Sequence, residues 1–265
     1  MANPLIRKLQ QVIRLSADDQ RLLEQATSER VTRFGQREDL MSEGDEPREI
    51  HPILSGWACR YKQLEDGRRA VLAFLLPGDL CDPSPLVLGE MDHSVGTLTS
   101  GTLAAIPRAV FEELTFHHPR VAQALWREAL VQAAIQREWT LSLGQRNAYE
   151  RLCHLLCELF LRLRIVGLTQ GPSCELPVTQ AKLAEATGLT GVHLNRMLQE
   201  LRAANLVVLK GKTLTIPDLP ALMAVALFSP NYLHLTREGS AGESHEAAAH
   251  RVSNHRSDSA HPGGR

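Results

Sequence analysis

Residues 179–212 carry polar and basic side chains at spacings that suit contact with a polyanion. Thr179 is placed to cap a first helix over residues 180–187, whose buried face would be Leu183, Ala184 and Thr187. Gly188 stands where a helix end needs left-handed backbone, and Thr190 is placed to cap a second helix. Along that helix Leu194, Met197, Leu198 and Leu201 share one face at 3,4 spacing, which leaves Gly191, Val192, His193, Asn195, Arg196 and Gln199 outward. Two short helices on a tight glycine turn, the second polar on its outer N-terminal side, match a DNA-reading helix-turn-helix. Residues 205–209 and 213–216 then read as two strands around the basic turn Lys210-Gly211-Lys212, a wing. Lys182, Arg196, Arg202, Lys210 and Lys212 outnumber Glu185 and Glu200 in this stretch, so the module is locally positive. Helix-turn-helix shapes also serve as protein-interaction modules, and salt-dependent retention on DNA separates the two readings.

Other reactive residues offer less. The five cysteines, at 59, 81, 153, 157 and 174, form no CxxC pair and no zinc-finger spacing, so neither a disulfide framework nor a metal is indicated. Cys153 and Cys157 share a helix face and could hold a metal or heme, but they lie in an apolar run, where buried thiols are common. Paired catalytic carboxylates, a Ser/His/Asp order, a nucleophile elbow and a Gly-rich phosphate loop are not visible, so no catalytic residue is assigned. The pairs His117-His118 and Asp92-His93 read as a helix-terminus loop and a β-turn.

The elements that must position the reading helix follow from periodicity. Residues 5–28 are helical in pattern, with Ser16 capping a second helix. From residue 31 to 106 short β-rich runs (50–54, 57–61, 70–76, 97–98 and 103–106) alternate with glycine turns such as Glu43-Gly44-Asp45 and Pro77-Gly78-Asp79, which argues for an antiparallel barrel or sandwich. A short helix over 108–116 follows, and Pro119 opens a longer one. Ala122, Leu125, Ala129, Gln132, Gln136, Trp139 and Leu143 repeat roughly every 3.5 residues along it, as a dimer seam would. A helix packed on its own domain would give the same stripe. An apolar helix spans 149–165, and residues 236–265 contain almost nothing able to enter a core, so disorder is expected there despite four histidines. With a formal net charge of −1 the chain has no global basic character, and any DNA-binding surface must be local. No apolar run approaches the ~18 residues of a membrane span, and the first residues lack the features of a signal peptide, which makes the cytoplasm the expected compartment with no membrane partner.

Taken in order, Glu43-Gly44-Asp45, Leu54-Ser55-Gly56, Gly67-Arg68, residues 74–79 (FLLPGD) and residues 183–190 with Asn195-Arg196 resemble the Crp/Fnr family of bacterial transcription regulators over residues 10 to about 225. The resemblance implies an α+β chain: an N-terminal double-stranded β-helix (a β-roll of the cyclic-nucleotide-binding type) over 1–117, a dimerisation helix over 118–145, a winged helix-turn-helix over 146–235, and a disordered tail over 236–265. It also implies a homodimer on palindromic double-stranded DNA and contact with RNA polymerase. Two departures bear on the effector. Where cyclic-nucleotide-binding members carry a glutamate for the ribose this chain has Pro83, and His93-Ser94 replaces their Arg-Ser/Thr pair. Losing the guanidinium removes the bidentate phosphate partner, so cyclic AMP binding is expected to be weak or absent. Asp79, Cys81, His93 and Ser94 are the candidate effector pocket. No cysteine precedes Cys59, so the iron–sulfur cluster of the oxygen-sensing branch is not expected, and the spacing of His51, Cys59, Cys81 and His93 does not favour heme.

Familiar members have Arg-Glu where Gly191-Val192 stands, and only the later arginine is kept, as Arg196. Arg196 is expected on a guanine edge in the major groove, with His193 and Asn195 on bases or phosphates and Val192 on a thymine methyl. Thr179, Thr190, Lys210 and Lys212 are expected on phosphates, with Gln180, Gly191 and Gln199 completing the surface. The other reading of the chain is a ligand- or redox-sensing protein whose C-terminal module binds protein.

Overall fold

Asn3 accepts hydrogen bonds from the amides of Leu5 and Ile6 and so starts helix α1 (Pro4–Gln10). Ser16 and Asp19 form a reciprocal capping box that opens α2 (Ala17–Ser28), satisfying amides the helix cannot reach. These features come from a computed structural model that describes residues 3–11, 13–82 and 85–235. The tail over 236–265 and Pro83 lie outside the described residues.

Nine short strands follow among the described residues: β1 (Val31–Phe34), β2 (Asp39–Met41), β3 (Glu49–Ile50), β4 (Ile53–Ser55), β5 (Ala58–Gln63), β6 (Arg69–Leu75), β7 (Ser94–Thr97), β8 (Gly101–Ala104) and β9 (Ile106–Pro107), with a turn of helix α3 (Pro85–Leu88) before β7. They pair antiparallel in the orders β2-β7-β5-β6, β1-β8-β4 and β3-β9, and close a roll around Phe34, Met41, Ile53, Leu75 and Val95. The single strand expected over residues 50–54 is two. Pro52 has no N–H to give a ladder, so the run breaks there into β3 and β4.

Helix α4 (Arg108–His117) leads into the 27-residue α5 (Pro119–Gln145), which Pro119 opens at its first turn. Asn147 and Glu150 form a second capping box at the start of α6 (Ala148–Ile165). The C-terminal module adds β10 (Thr169–Gln170), β11 (Ser173–Glu175), α7 (Gln180–Thr187), α8 (Gly191–Ala203), β12 (Val208–Lys210), β13 (Thr213–Thr215), α9 (Leu219–Val225) and a 3-10 turn over Pro230–Leu233. Strands β10 and β11 form a hairpin whose β11 pairs with β13, extending the wing to the four-stranded order β10-β11-β13-β12. A hydroxyl pair, Ser173 to Thr215 at 2.7 Å, ties that edge.

Roll and module share one core. The Phe74 ring meets Trp57 at 6.4 Å and Trp139 of α5 at 6.1 Å, centroid to centroid, and Leu152 and Leu156 of α6 pack into the same cluster. Buried charges cross the same junction. Asp79 pairs with Lys8 and, at 2.7 Å, with Arg162, and it accepts from the Leu76 amide. Lys8 also pairs with Glu128 of α5. Arg162 also reaches Glu158 at 3.2 Å and the Phe74 carbonyl at 2.9 Å, while Glu158 accepts from Trp139 Nε1 and Tyr232 Oη at 3.1 Å each. Burial pushes the Asp79 carboxyl up, but Lys8 and Arg162 beside it outweigh that and hold it below the usual range. Gly78, at φ +94°, lets α1 approach this turn, since a Cβ there would stand 2.7 Å from the Pro4 carbonyl oxygen.

Candidate nucleic-acid interface and effector site

Helix α7 is capped by Thr179, which accepts from the Lys182 amide at 3.3 Å, and it buries Leu183, Ala184, Ala186 and Thr187. Its C-cap, Gly188, is left-handed at φ +63°, and this turns the chain within three residues to Thr190. Thr190 accepts from the His193 amide at 3.2 Å and opens α8, whose Leu194, Met197, Leu198 and Leu201 are buried. The remaining side of α8 faces outward. Gly191, Asn195, Arg196 and Gln199 are exposed, Val192 is 86% exposed, and His193 is half-buried. Arg196 makes only a loose pair with Glu200, 3.7 Å away. Thr179, Gln180, Thr190, Lys210 and Lys212 are also exposed, the two lysines flanking Gly211 at the tip of the β12–β13 wing. Arg151 of α6 locks this unit to the long helix. It donates to the Thr187 carbonyl at 2.6 Å and to the Ser142 carbonyl at 3.0 Å.

The four residues expected around one effector pocket have different surroundings in the roll. Asp79 is the buried ionic joint described above, not a pocket wall. Cys81 is fully buried in the roll core, and burial pushes its thiol up to about 12. Ser94 accepts from the Glu43 amide at 3.0 Å. His93 instead meets two carboxylates, Asp92, its neighbour in the turn, through Nδ1 at 2.6 Å, and Asp82, which the sequence reading did not single out, opposite Nε2 at 3.5 Å. The His93 ring holds the Asp92 carboxyl below its usual range. Cys153, Cys157, Cys59 and Cys174 are likewise buried and free, and burial raises each thiol, Cys153 to about 12 and Cys174 to about 11. Protonated thiols in a core are poor metal ligands. Among the described residues no helix is long and apolar enough to cross a membrane.

Residues 31–118 match the family model of the cyclic nucleotide-binding domain, and residues 150–225 that of the Crp-like helix-turn-helix domain, in that order along one chain. The chain belongs to the Crp/Fnr family. The transcriptional activator protein FnrL of Cereibacter sphaeroides is 29% identical over 203 residues, 75% of this chain and 80% of that protein. The fumarate and nitrate reduction regulatory protein of Vibrio cholerae is 27% identical over 189 residues, 71% of this chain and 75% of that protein. In fold, FixK2 of Bradyrhizobium japonicum superposes with a TM-score of 0.66 at 21% identity, over 75% of this chain and 98% of that one. With this architecture the chain is a DNA-binding regulator of Crp/Fnr type, and the relatives named are regulators rather than enzymes.

The long helix of this Crp/Fnr chain is phased differently from the expected seam. Leu125 and Trp139 are buried in the protomer's own clusters, Gln136 donates to the Leu72 carbonyl at 2.9 Å, and Gln132 donates to Glu128 at 2.7 Å. These four face inward because Val121, Ala124, Val131 and Ile135 share their side and seal the roll and α6. Ala122, Ala129 and Leu143 of the expected set remain half-buried or exposed. The stripe left open runs through Ala122, Trp126, Ala129, Ala133, Thr140 and Gly144, with Leu130 and Leu141 beside it; it is centred roughly 60° round the helix from the expected one and shares Ala122 and Ala129 with it. Trp126 is 70% exposed and borders an apolar groove of ≈ 660 Å³ that Phe111, Phe116 and Leu80 also line. The missed signal was a second set at 3,4 spacing on the same helix.

Proposed function

We propose that the chain works as a homodimer that reads palindromic promoter sites with one α8 from each protomer, and that its roll does not take cyclic AMP. The observation that carries the reading is the outward side of α8. Capped by Thr190 and anchored by four buried apolar residues, this helix leaves Val192, Asn195 and Gln199 exposed, with no side-chain hydrogen bond to the described residues, and Arg196 in a loose surface pair. Such a pair contributes little and yields readily to a guanine edge, which the arginine fork fits in two places. Thr179, Gln180, Thr190, Lys210 and Lys212 surround it as phosphate-positioning groups, with His193 and Gly191 close to the duplex.

Pairing of two protomers is supported by the exposed stripe of α5. Small residues at 3,4 spacing let two helices approach, and Trp126, Leu130 and Leu141 supply apolar area that a monomer leaves in water. Against cyclic AMP stands the setting of His93. A cyclic phosphate needs donors there, and the ring is instead flanked by the Asp82 and Asp92 carboxylates, which repel an anion. Contact with RNA polymerase follows for a member of this family that acts at promoters, and the cytoplasm is the compartment in which it would act.

The test is selection of duplex DNA by the purified protein at physiological salt, followed by titration of the selected site. Arg196→Ala is expected to cost about 1–3 kcal/mol of binding and to relax selectivity at one base pair in each half-site. Unchanged affinity and selectivity in that variant would overturn the reading.

A further inference from the structure

We infer that Asp82, Asp92 and His93 form a site for a divalent transition-metal cation at the mouth of the roll, with His93 Nε2 and Asp82 as direct ligands and Asp92 orienting the ring. The inference is independent of the DNA-binding reading. It begins with the loop after β6 and the turn before β7, which bring residue 82 beside residues 92 and 93, so that one ligand atom from each of the three lies within 4.8 Å of the others.

The state of the His93 ring points to a missing ligand. Its side chain is only 9% exposed, and its Nε2 is buried with no hydrogen-bond partner among the described residues. Leaving a buried polar atom in that condition is unfavourable. The other nitrogen is accounted for. Nδ1 lies 2.6 Å from Asp92 Oδ1, a charge-assisted hydrogen bond in which the ring donates to the carboxylate. With the proton on Nδ1, the Nε2 lone pair is directed toward Asp82 Oδ2, 3.5 Å away. In that state two acceptors face each other, and either a second ring proton or a metal cation must lie between them.

A cation fits that gap. Metal–nitrogen and metal–oxygen bonds of about 2.0–2.1 Å span the 3.5 Å separation with an angle of roughly 115–120°, close to tetrahedral. A ligating histidine whose second nitrogen donates to a carboxylate is also the usual support of such a site, because the carboxylate sets the tautomer and raises ring basicity. Imidazole with carboxylate favours zinc, iron, cobalt or nickel over calcium or magnesium. The two carboxylates carry a net charge that a dication neutralises. Cys81 is not part of the set: it packs into the roll core, outside the cluster of ligand atoms. With two direct protein ligands the remaining positions are open to water or to a small ligand, which is how the roll could still receive a signal.

The test uses the full-length protein, washed with chelator and titrated with zinc by calorimetry and with cobalt by visible absorption. The four histidines of residues 236–265 can add binding of their own, so the readout is the difference between proteins. His93→Gln and the isosteric Asp82→Asn should each lose one equivalent of metal, with the tetrahedral cobalt bands falling in proportion. Asp92→Asn should keep the equivalent and weaken it about 10–100-fold. Absence of binding in the wild type overturns the inference. So does equal stoichiometry and affinity in the wild type and Asp82→Asn, a comparison that stands even where His93→Gln fails to fold.

Discussion

Replacing Arg162 with methionine tests how the sensing roll and the DNA-reading module are joined. The Arg162 side chain is 5% exposed and touches Asp79, Glu158 and the Phe74 carbonyl at 2.7, 3.2 and 2.9 Å. Methionine preserves most of the aliphatic stem, so packing changes little and the loss is chiefly the charge. Asp79 keeps Lys8 and the Leu76 amide. Glu158 is left with two neutral donors, Trp139 and Tyr232, in a site with no solvent exposure. Breaking a buried pair and leaving one charge behind costs about 3–5 kcal/mol. At roughly 2–4 °C per kcal/mol for a chain of this size, Tm should fall by about 6–20 °C. Burial already pushes the Glu158 carboxyl above 4.5, against the pull of Arg162, and losing the guanidinium raises it further. The protonated form is thus favoured in the fold. The deficit of the variant relative to wild type should be small while Glu158 is protonated in both folded proteins, and grow only as pH rises through the wild-type folded value, which lies above 4.5. Urea unfolding followed by circular dichroism at several pH values reads both effects. Adding Glu158→Gln to Arg162→Met should recover most of the loss, because the stranded charge is then gone. A deficit under about 1 kcal/mol at neutral pH, or a double variant no more stable than the single one, would refute the argument.

The α5 stripe and the His154 site give two further predictions. Trp126→Glu places a charge in the middle of the exposed stripe. Sedimentation should find it monomeric at concentrations where the wild type is a dimer, with weaker binding to a palindromic duplex, and an unchanged dimer would mean that another surface pairs the protomers. His154 is buried against Phe228 and Tyr232, and burial lowers its pKa from 6.5 to about 3 despite Glu138 at 3.5 Å. A depressed folded value means that only the unfolded chain takes the proton between those limits. The stability it supports is complete above pH 6.5 and is lost as pH falls toward 3, by about 1.4 kcal/mol per pH unit. His51 adds in the same direction. His154→Phe should therefore unfold with a shallower pH dependence between 6 and 4, and equal slopes for the two proteins would count against a neutral buried ring.

The helix-turn-helix was legible in the sequence because its determinants act within a few residues of one another. Thr179 and Thr190 accept from amides three positions on, Gly188 supplies the left-handed turn, and Leu194, Met197, Leu198 and Leu201 declare the buried side by spacing alone. The glycine turns of the roll are local in the same way. Helix α5 shows where such signals stop. It carries two stripes at nearly the same period, and only the packing of roll and α6 onto Leu125, Ile135 and Trp139 decides which one is left over. Charges paired over long separations leave no pattern at all in the chain. Lys8, Asp79, Glu128, Glu158 and Arg162 come from three helices and a turn, and the placing of Asp82 opposite His93 is likewise a product of loop geometry. Hydrogen bonds between near neighbours are encoded where they form, whereas the partner of a buried charge is chosen by which surfaces the folded chain brings together.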